Sequence, residues 1–286
     1  MLIRGTTRLL GVLGNPVAHS YSPAMHNAAI ERLGLDLIYV PMKVETRGLK
    51  SCLNAVRELD FLGVNVTVPH KQNVMPYLDE ISEVSRMMGA VNTIVKRDGK
   101  LFGTTTDPEG FLAGFREAGH SFDGKSVAIL GNGGAARTIA FALFHLTKPK
   151  RVAIVARDPA KSQLLAREIK AKLDKDLETL ALDQYAKYAD GFEVLVHTTP
   201  VGMHPKTDES LLPGEQLLSS QIVYDLIYNP EETALLRQAR ERGCHTVGGL
   251  AMLVHQGIAS FKLWTGIDPN PAFFYEGIQT QKAAAP

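Results

Sequence analysis

Chemistry in this 286-residue chain concentrates in a few short stretches. Gly131-Asn132-Gly133-Gly134-Ala135-Ala136-Arg137 matches G-x-G-x-x-[GA] between the apolar run Ser126 to Leu130 and an apolar helical pattern. That strand, turn and helix setting is the one in which the spacing binds a dinucleotide. Gly131 permits the tight turn and Gly133 lets the backbone approach a pyrophosphate. Small Ala136 allows close helix-to-strand packing, and free N–H groups at the helix start attract the anion. Asn132, Gly134 and Ala135 complete the candidate loop. The next strand ends at Ala156-Arg157-Asp158, where a NAD enzyme normally sets an acidic residue against the ribose 2′-hydroxyl. Here the strand-end residue is Ala156, and Arg157 with Lys161, one turn on, offers cations to a 2′-phosphate. This favours NADP. Asp158 keeps NAD open, although it also suits the N-cap of the following helix.

A second stretch, Gly14-Asn15-Pro16-Val17-Ala18-His19-Ser20-Tyr21-Ser22-Pro23, is dense in hydroxyls just before a helix. Pro23 fits the first helical turn and Ser22 the N-cap. Ser20 and Ser22 beside a helix N-terminus also suit a carboxylate without a fixed cation. A third stretch, Asn65-Val66-Thr67-Val68-Pro69-His70-Lys71, puts Thr67 and Lys71 at the carboxyl end of a strand, the usual place for a ligand crevice. Taken singly, Lys71 reads as surface charge and Asp107, in Gly103-Thr104-Thr105-Thr106-Asp107, as a helix cap.

The elements that must position these residues follow from hydrophobic period. Leu9 to Leu13, Leu37 to Val44 and Gly63 to Val68 read as strands separated by helices from about Pro23 and up to about Leu59, a βαβαβ series that predicts a parallel sheet. Between Ala90 and Phe102 two strand-like runs meet at Asp98-Gly99, a hairpin turn expected to close that sheet. After a helix near Pro108 to Ala118, strands are expected at Ser126 to Leu130, Arg151 to Val155, Glu193 to Val196, Ile222 to Leu226 and His245 to Val247, a nucleotide-binding α/β series. The last apolar helix, Leu250 to Leu263, has no sheet partner of its own and is expected to return to the first domain. Gln281 to Pro286 reads as a loose tail.

The fold class is therefore α/β with two domains. Residues 1–108 are expected to form a substrate-binding and catalytic domain, 109–249 a Rossmann-type NADP-binding domain, and 250–286 C-terminal helices that pack on the first. Ordinary globular composition agrees, with 45% hydrophobic and 21% charged residues. Lys and Arg total 31 against 30 for Asp and Glu, so no net field draws the chain to nucleic acid or an anionic membrane. No apolar run approaches the roughly 18 residues of a membrane span, and Cys52 and Cys244 fit neither a zinc nor a C-x-x-C spacing. No metal is expected. Two reduced thiols and no export signal suit the cytoplasm. Monomer and homodimer are both compatible with the composition.

The chain resembles the shikimate dehydrogenase family, which includes shikimate and quinate dehydrogenases, from about Leu10 to Gly266. The resemblance runs through Gly14-Asn15-Pro16 with His19-Ser20-Tyr21-Ser22-Pro23, Asn65 to Lys71, Gly89-Ala90-Val91-Asn92-Thr93, the Gly-rich loop, Thr199-Pro200-Val201-Gly202-Met203, and Gly248-Gly249-Leu250-Ala251-Met252-Leu253-Val254-His255-Gln256. It implies that Ser20 and Ser22 hold a substrate carboxylate, that Thr67, Asn92, Asp107 and Gln256 bind its hydroxyls, and that Lys71 with Asp107 forms the catalytic pair. It adds Tyr228 to the substrate residues and Thr199 and Gly249 to the cofactor residues. The implied reaction is reversible, NADPH-dependent reduction of 3-dehydroshikimate to shikimate on the route to chorismate and the aromatic amino acids. A donor within hydrogen-bond reach of the ketone oxygen is required, and Lys71 is the candidate.

Departures from the family pattern are specific. Thr105 stands where Asn is usual ahead of Asp107. His197-Thr198-Thr199-Pro200 stands where Asn-Ala-Thr-Pro is usual, at a strand end facing the cofactor. After the second nucleotide-domain strand, only Arg157 and Lys161 match the usual NADP pattern, while Ala156 and Asp158 do not. Rival expectations are a NAD-dependent quinate or shikimate dehydrogenase and a non-catalytic ligand-sensing homologue. Intact Lys71 and Asp107, and the lack of a basic patch or appended helix-turn-helix segment, speak against the second.

Overall fold

The computed structural model describes residues 2–284, and these form two compact units. One holds the chain up to Gly110 together with the chain from Val254 onward, and the other holds Phe111–Leu253. Both crossings fall inside helices, α5 (Asp107–Glu117) and α10 (Leu250–Thr265).

The first unit contains β1 (Arg8–Gly14), α1 (Ser22–Arg32), β2 (Leu37–Lys43), α2 (Leu49–Glu58), β3 (Phe61–Val66), α3 (His70–Asn73), β4 (Glu80–Ile81), α4 (Glu83–Met88), β5 (Thr93–Arg97) and β6 (Lys100–Thr104). The sheet order is β2-β1-β3-β5-β6-β4. The predicted parallel pairing holds for β1 with β2 and β3, but β5 runs antiparallel to both β3 and β6. Asp98 and Gly99 both take positive φ, 51° and 75°, and turn that hairpin. The hairpin does not close the sheet. The two-residue β4, too short to show a period, pairs with β6 and forms the far edge. Leu13, Val64, Val66, Ile94 and Leu101 meet Leu53 and Val56 of α2 in one apolar core.

Helix α1 starts one residue earlier than its cap signal implied. Tyr21 occupies the N-cap position without a side-chain cap, and Ser22 is already helical. The reason is packing, because the Ser22 side chain is buried. The Ser22 backbone N–H donates to Ser20 Oγ instead, at 3.2 Å. At the far end of the chain, α11 (Pro271–Ala283) replaces part of the expected tail. Asn270 caps it by accepting from the Ala272 N–H at 2.9 Å, and Pro271 opens its first turn. It packs on α1, where Glu276 grips Arg32 through two donors. Gln281 to Ala283 are thus helical, and residues 285–286 of the tail lie outside the described residues.

The second unit carries β7 (Ser126–Leu130), α6 (Gly134–Leu146), β8 (Arg151–Ala156), α7 (Pro159–Leu173), β9 (Leu177–Ala181), α8 (Tyr185–Tyr188), β10 (Val194–His197), β11 (Ile222–Asp225), α9 (Ala234–Glu241) and β12 (His245–Val247). All neighbours pair in parallel in the order β12-β11-β10-β7-β8-β9. The strand order reverses between β7 and β10, which is where a doubly wound sheet opens a crevice at its carboxyl edge. Strand β9, unpredicted, is the edge beyond β8, with Glu178 and Thr179 exposed. Both cysteines are free thiols, and no helix among the described residues is long and apolar enough to cross a membrane.

Candidate active site

In the first unit, a strand end, a hairpin exit and a returning helix converge. Lys71 sits on the short α3 just after β3, and Asp107 is the first residue of α5 just after β6. Lys71 Nζ donates to Asp107 Oδ2 at 2.6 Å. The lysine side chain remains 34% exposed while the aspartate retains 12%, so the ammonium stays reachable and the carboxylate is held from behind. Asn92 holds it, donating from Nδ2 to Asp107 Oδ1 at 2.8 Å. The same Nδ2 lies 3.0 Å from Thr106 Oγ1 and 3.1 Å from Gln256 Oε1. Two N–H groups thus share three acceptors.

Behind this row lies a wholly buried polar cluster. Asn92 Oδ1 accepts from Thr93 Oγ1 at 2.7 Å and from the Thr106 N–H at 2.9 Å. Ser260 Oγ lies 2.7 Å from Thr93 Oγ1 and 3.2 Å from Thr106 Oγ1, and accepts from Asn65 Nδ2 at 3.0 Å. Asn65 Oδ1 in turn accepts from the Tyr39 hydroxyl at 2.8 Å. Burial pushes that phenol well above its ordinary range, so it acts as a donor. The chain of contacts therefore runs from Tyr39 through Asn65, Ser260 and Thr106 to Asn92, Asp107 and Lys71. Buried groups so satisfied hold their geometry firmly.

Tyr39, Asn65, Thr93, Thr106 and Ser260 received no role from the sequence. Asn65 lay within a quoted motif, and Ser260 follows Gln256 by one helical turn, which puts both on one face of α10. Thr67 is fixed at the end of β3 by its backbone, with its N–H on Leu13 O at 2.9 Å. Ser20 is half-buried in the loop after β1. Thr105 is buried, and its hydroxyl is without a protein partner.

The second unit holds the glycine turn. Gly131 has φ +110°, a conformation side chains rarely adopt, and a Cβ there would come within 2.8 Å of both Thr198 Oγ1 and Thr199 Cγ2. At Gly133 and Gly134 a Cβ would meet nothing within 4 Å. The backbone is open toward solvent where a pyrophosphate would approach, and α6 begins there with its free N–H groups. Ala135 is exposed and Ala136 fully buried. Asn132 Nδ2 ties the turn to the end of β8 by donating to Asp158 O at 2.9 Å and Ser162 Oγ at 3.1 Å. Asp158 is the N-cap of α7, accepting from the Lys161 N–H at 3.1 Å. Arg157 and Lys161 are exposed beside it. These residues fit a dinucleotide.

Thr199 follows β10 on the other side of the switch point. Tyr228, half-buried, follows β11, and Gly249 precedes α10 where its missing Cβ lets Leu226 O approach.

A parallel sheet with an open glycine turn at its switch point, in a chain that also carries a supported lysine–aspartate pair, defines a nicotinamide-dinucleotide oxidoreductase. Family models match most of the length: the shikimate dehydrogenase substrate binding domain over residues 12–94, shikimate / quinate 5-dehydrogenase over 115–209, and the shikimate 5′-dehydrogenase C-terminal domain over 249–276. The chain belongs to the shikimate dehydrogenase family. It is 41% identical over 271 residues to the shikimate dehydrogenase (NADP(+)) of Methanocaldococcus jannaschii, covering 94% of this chain and 95% of that protein. Among solved structures it is similar to a shikimate dehydrogenase in complex with NADP+, with TM-score 0.92, 40% identity, and coverage of 98% and 97% of the two chains. It is also similar to the Listeria monocytogenes shikimate 5-dehydrogenase in complex with shikimate and NAD, with TM-score 0.90, 36% identity, and coverage of 96% and 98%.

Proposed function

We propose that this chain reduces 3-dehydroshikimate to shikimate reversibly with NADPH. The observation that carries the reading is the Lys71–Asp107 contact at 2.6 Å, backed by Asn92 and reached by Gln256. When bound, the cofactor supplies the hydride that reduces the ring ketone. Lys71 delivers the proton to the ketone oxygen, and in the reverse direction takes it back. Asp107 orients the ammonium through Oδ2 while Asn92 fixes its other oxygen. Asp107, Asn92, Gln256 and Thr67 present polar groups to the substrate's hydroxyls, and Ser20 and Ser22 receive its carboxylate at the start of α1. Tyr228 belongs to the substrate residues as well.

The Gly131 to Ala136 turn would hold the pyrophosphate, with Thr199 and Gly249 on the nicotinamide side. Preference for NADP over NAD rests on Asp158. Its carboxylate is engaged in capping α7, which leaves Arg157 and Lys161 as the charged groups at the end of β8 for a 2′-phosphate. Residues 1–108 would then act as the substrate domain and 109–249 as the cofactor domain, in a cytoplasmic monomer or homodimer.

Steady-state rates with shikimate and quinate, each with NADP+ and NAD+, test the assignment. Shikimate with NADP+ is expected to give the highest kcat/KM. Lys71→Ala is expected to lose roughly 10²- to 10⁴-fold in kcat with little change in substrate KM, the size of a lost general acid–base group. Near-normal kcat in a folded Lys71→Ala protein would remove Lys71 from the chemistry. Higher kcat/KM with quinate and NAD+ would transfer the chain to that activity.

A further inference from the structure

His197 and Asp225 are register partners at the carboxyl ends of the adjacent strands β10 and β11, and both side chains are wholly buried. Asp225 Oδ1 accepts from the Ile227 N–H at 3.0 Å, and Oδ2 from Thr233 Oγ1 at 2.7 Å. Thr233 Oγ1 itself accepts from the Leu236 N–H as the N-cap of α9, so its own proton goes to Asp225. With two donors already on the carboxylate, the remaining contact, His197 Nδ1 at 3.0 Å, is a third N–H donating to it. In the neutral ring the other nitrogen is then an acceptor. Thr199 Oγ1, 2.6 Å from Nε2, must give its proton to the ring. The same oxygen accepts from the Val201 N–H at 3.3 Å. What Thr199 has left to offer is a lone pair and no proton.

Thr199 and Gly131 are the two lips of the switch point between β10 and β7. The glycine turn and the strand end at Arg157 assign the β7–β8 side to the pyrophosphate and the adenosine ribose. The nicotinamide half consequently falls on the β10 side. We infer that His197, held by Asp225, is a positioning residue that fixes the Thr199 hydroxyl as a hydrogen-bond acceptor for the carboxamide NH2 of the nicotinamide. This rests on the dinucleotide reading above. It also accounts for histidine where the family usually carries asparagine, because the longer ring spans from Asp225 to Thr199.

The test is binding, without turnover. Dissociation constants are measured by titration calorimetry at about pH 8. The ligands are NADP+ and its 3-acetylpyridine analogue, in which a methyl group replaces the amide NH2. The wild type is expected to prefer NADP+ by about 5- to 150-fold, the range of one hydrogen bond whose loss leaves a polar group unpaired. Thr199→Val should bring that ratio to about one, Thr199→Ser should keep it, and His197→Asn should lower it part of the way, with the double variant His197→Asn/Thr199→Val at about one, no lower than Thr199→Val alone. Tight binding of both ligands with a wild-type ratio near one, or a ratio unmoved by Thr199→Val, overturns the inference and leaves the dinucleotide reading intact. A wild type that binds neither ligand overturns both.

Discussion

His26 is wholly buried against Tyr39, with ring centroids 4.3 Å apart and planes within 7°. Neither ring nitrogen has a hydrogen-bond partner. Burial pulls its pKa down to about 3 from 6.5, so the folded protein keeps it neutral while the unfolded chain protonates it below about pH 6.5. The unfolded state therefore binds more protons across that window, and stability falls as pH drops from about 6.5 toward 3. The slope from one such group approaches about 1.4 kcal/mol per pH unit. His26→Phe keeps an aromatic ring in the stack and removes the titration, so urea unfolding at pH 7, 6 and 5 should show a flatter dependence for the variant. Parallel curves for the two proteins would dismiss His26 as a source of acid sensitivity. Little of this was legible beforehand, since nothing around His26 in the sequence shows that Tyr39, Phe261, Trp264 and Phe274 close over it. Lys71 and Asp107 behave alike in that respect. They are 36 positions apart and singly look like a surface charge and a helix cap; family resemblance joined them on paper, and the β3 and β6 ends join them in space.

Helix α10 earns its place through one face. Gln256 reaches Asn92, and one turn later Ser260 fills the centre of the buried cluster with Asn65, Thr93 and Thr106. The sequence told that this helix lacked a sheet partner. It did not tell that a serine inside an apolar pattern would be the joint, because that depends on three strand residues brought there by β3, β5 and the β6 exit. Ser260→Ala would leave Asn65 and Thr93 each one partner short in a buried site, at a cost of about 1–3 kcal/mol in denaturant unfolding. Thr280→Ala, on the exposed face of α11, should stay within about 0.5 kcal/mol of wild type. Similar losses for the two would show that the cluster is not a stability determinant. Elements with a strong period, such as β7 and α6, were readable at once. β9 was not, because Glu178 and Thr179 break its apolar run and its pairing with β8 is what makes it a strand. α11 had its signal in Asn270-Pro271, obscured by the polar residues that follow.

At the scale of the whole chain, each unit owns an apolar core, which by itself would permit each to unfold alone. The chain crosses between them twice, and both crossings lie inside continuous helices, α5 at Gly110 and α10 at Leu253. Melting Phe111–Leu253 would strip seven of the eleven residues of α5 and the first four of the sixteen of α10, leaving the turn that carries Asp107 as a four-residue remnant and removing the approach to Gln256. Helix formation is cooperative, and short remnants are unstable. The two units should therefore melt in one transition. NADP+ at about 100 times its dissociation constant adds about 2.7 kcal/mol to the folded state. Spread over the unfolding entropy of the entire chain, that raises Tm by about 4–5 °C. If Phe111–Leu253 unfolded alone, the same free energy would act on half the entropy. Its transition would then move by about 9 °C while a second stayed where it was. Scanning calorimetry with and without NADP+ separates the two outcomes, and a split endotherm with only one component shifted would show that the helices do not couple the units.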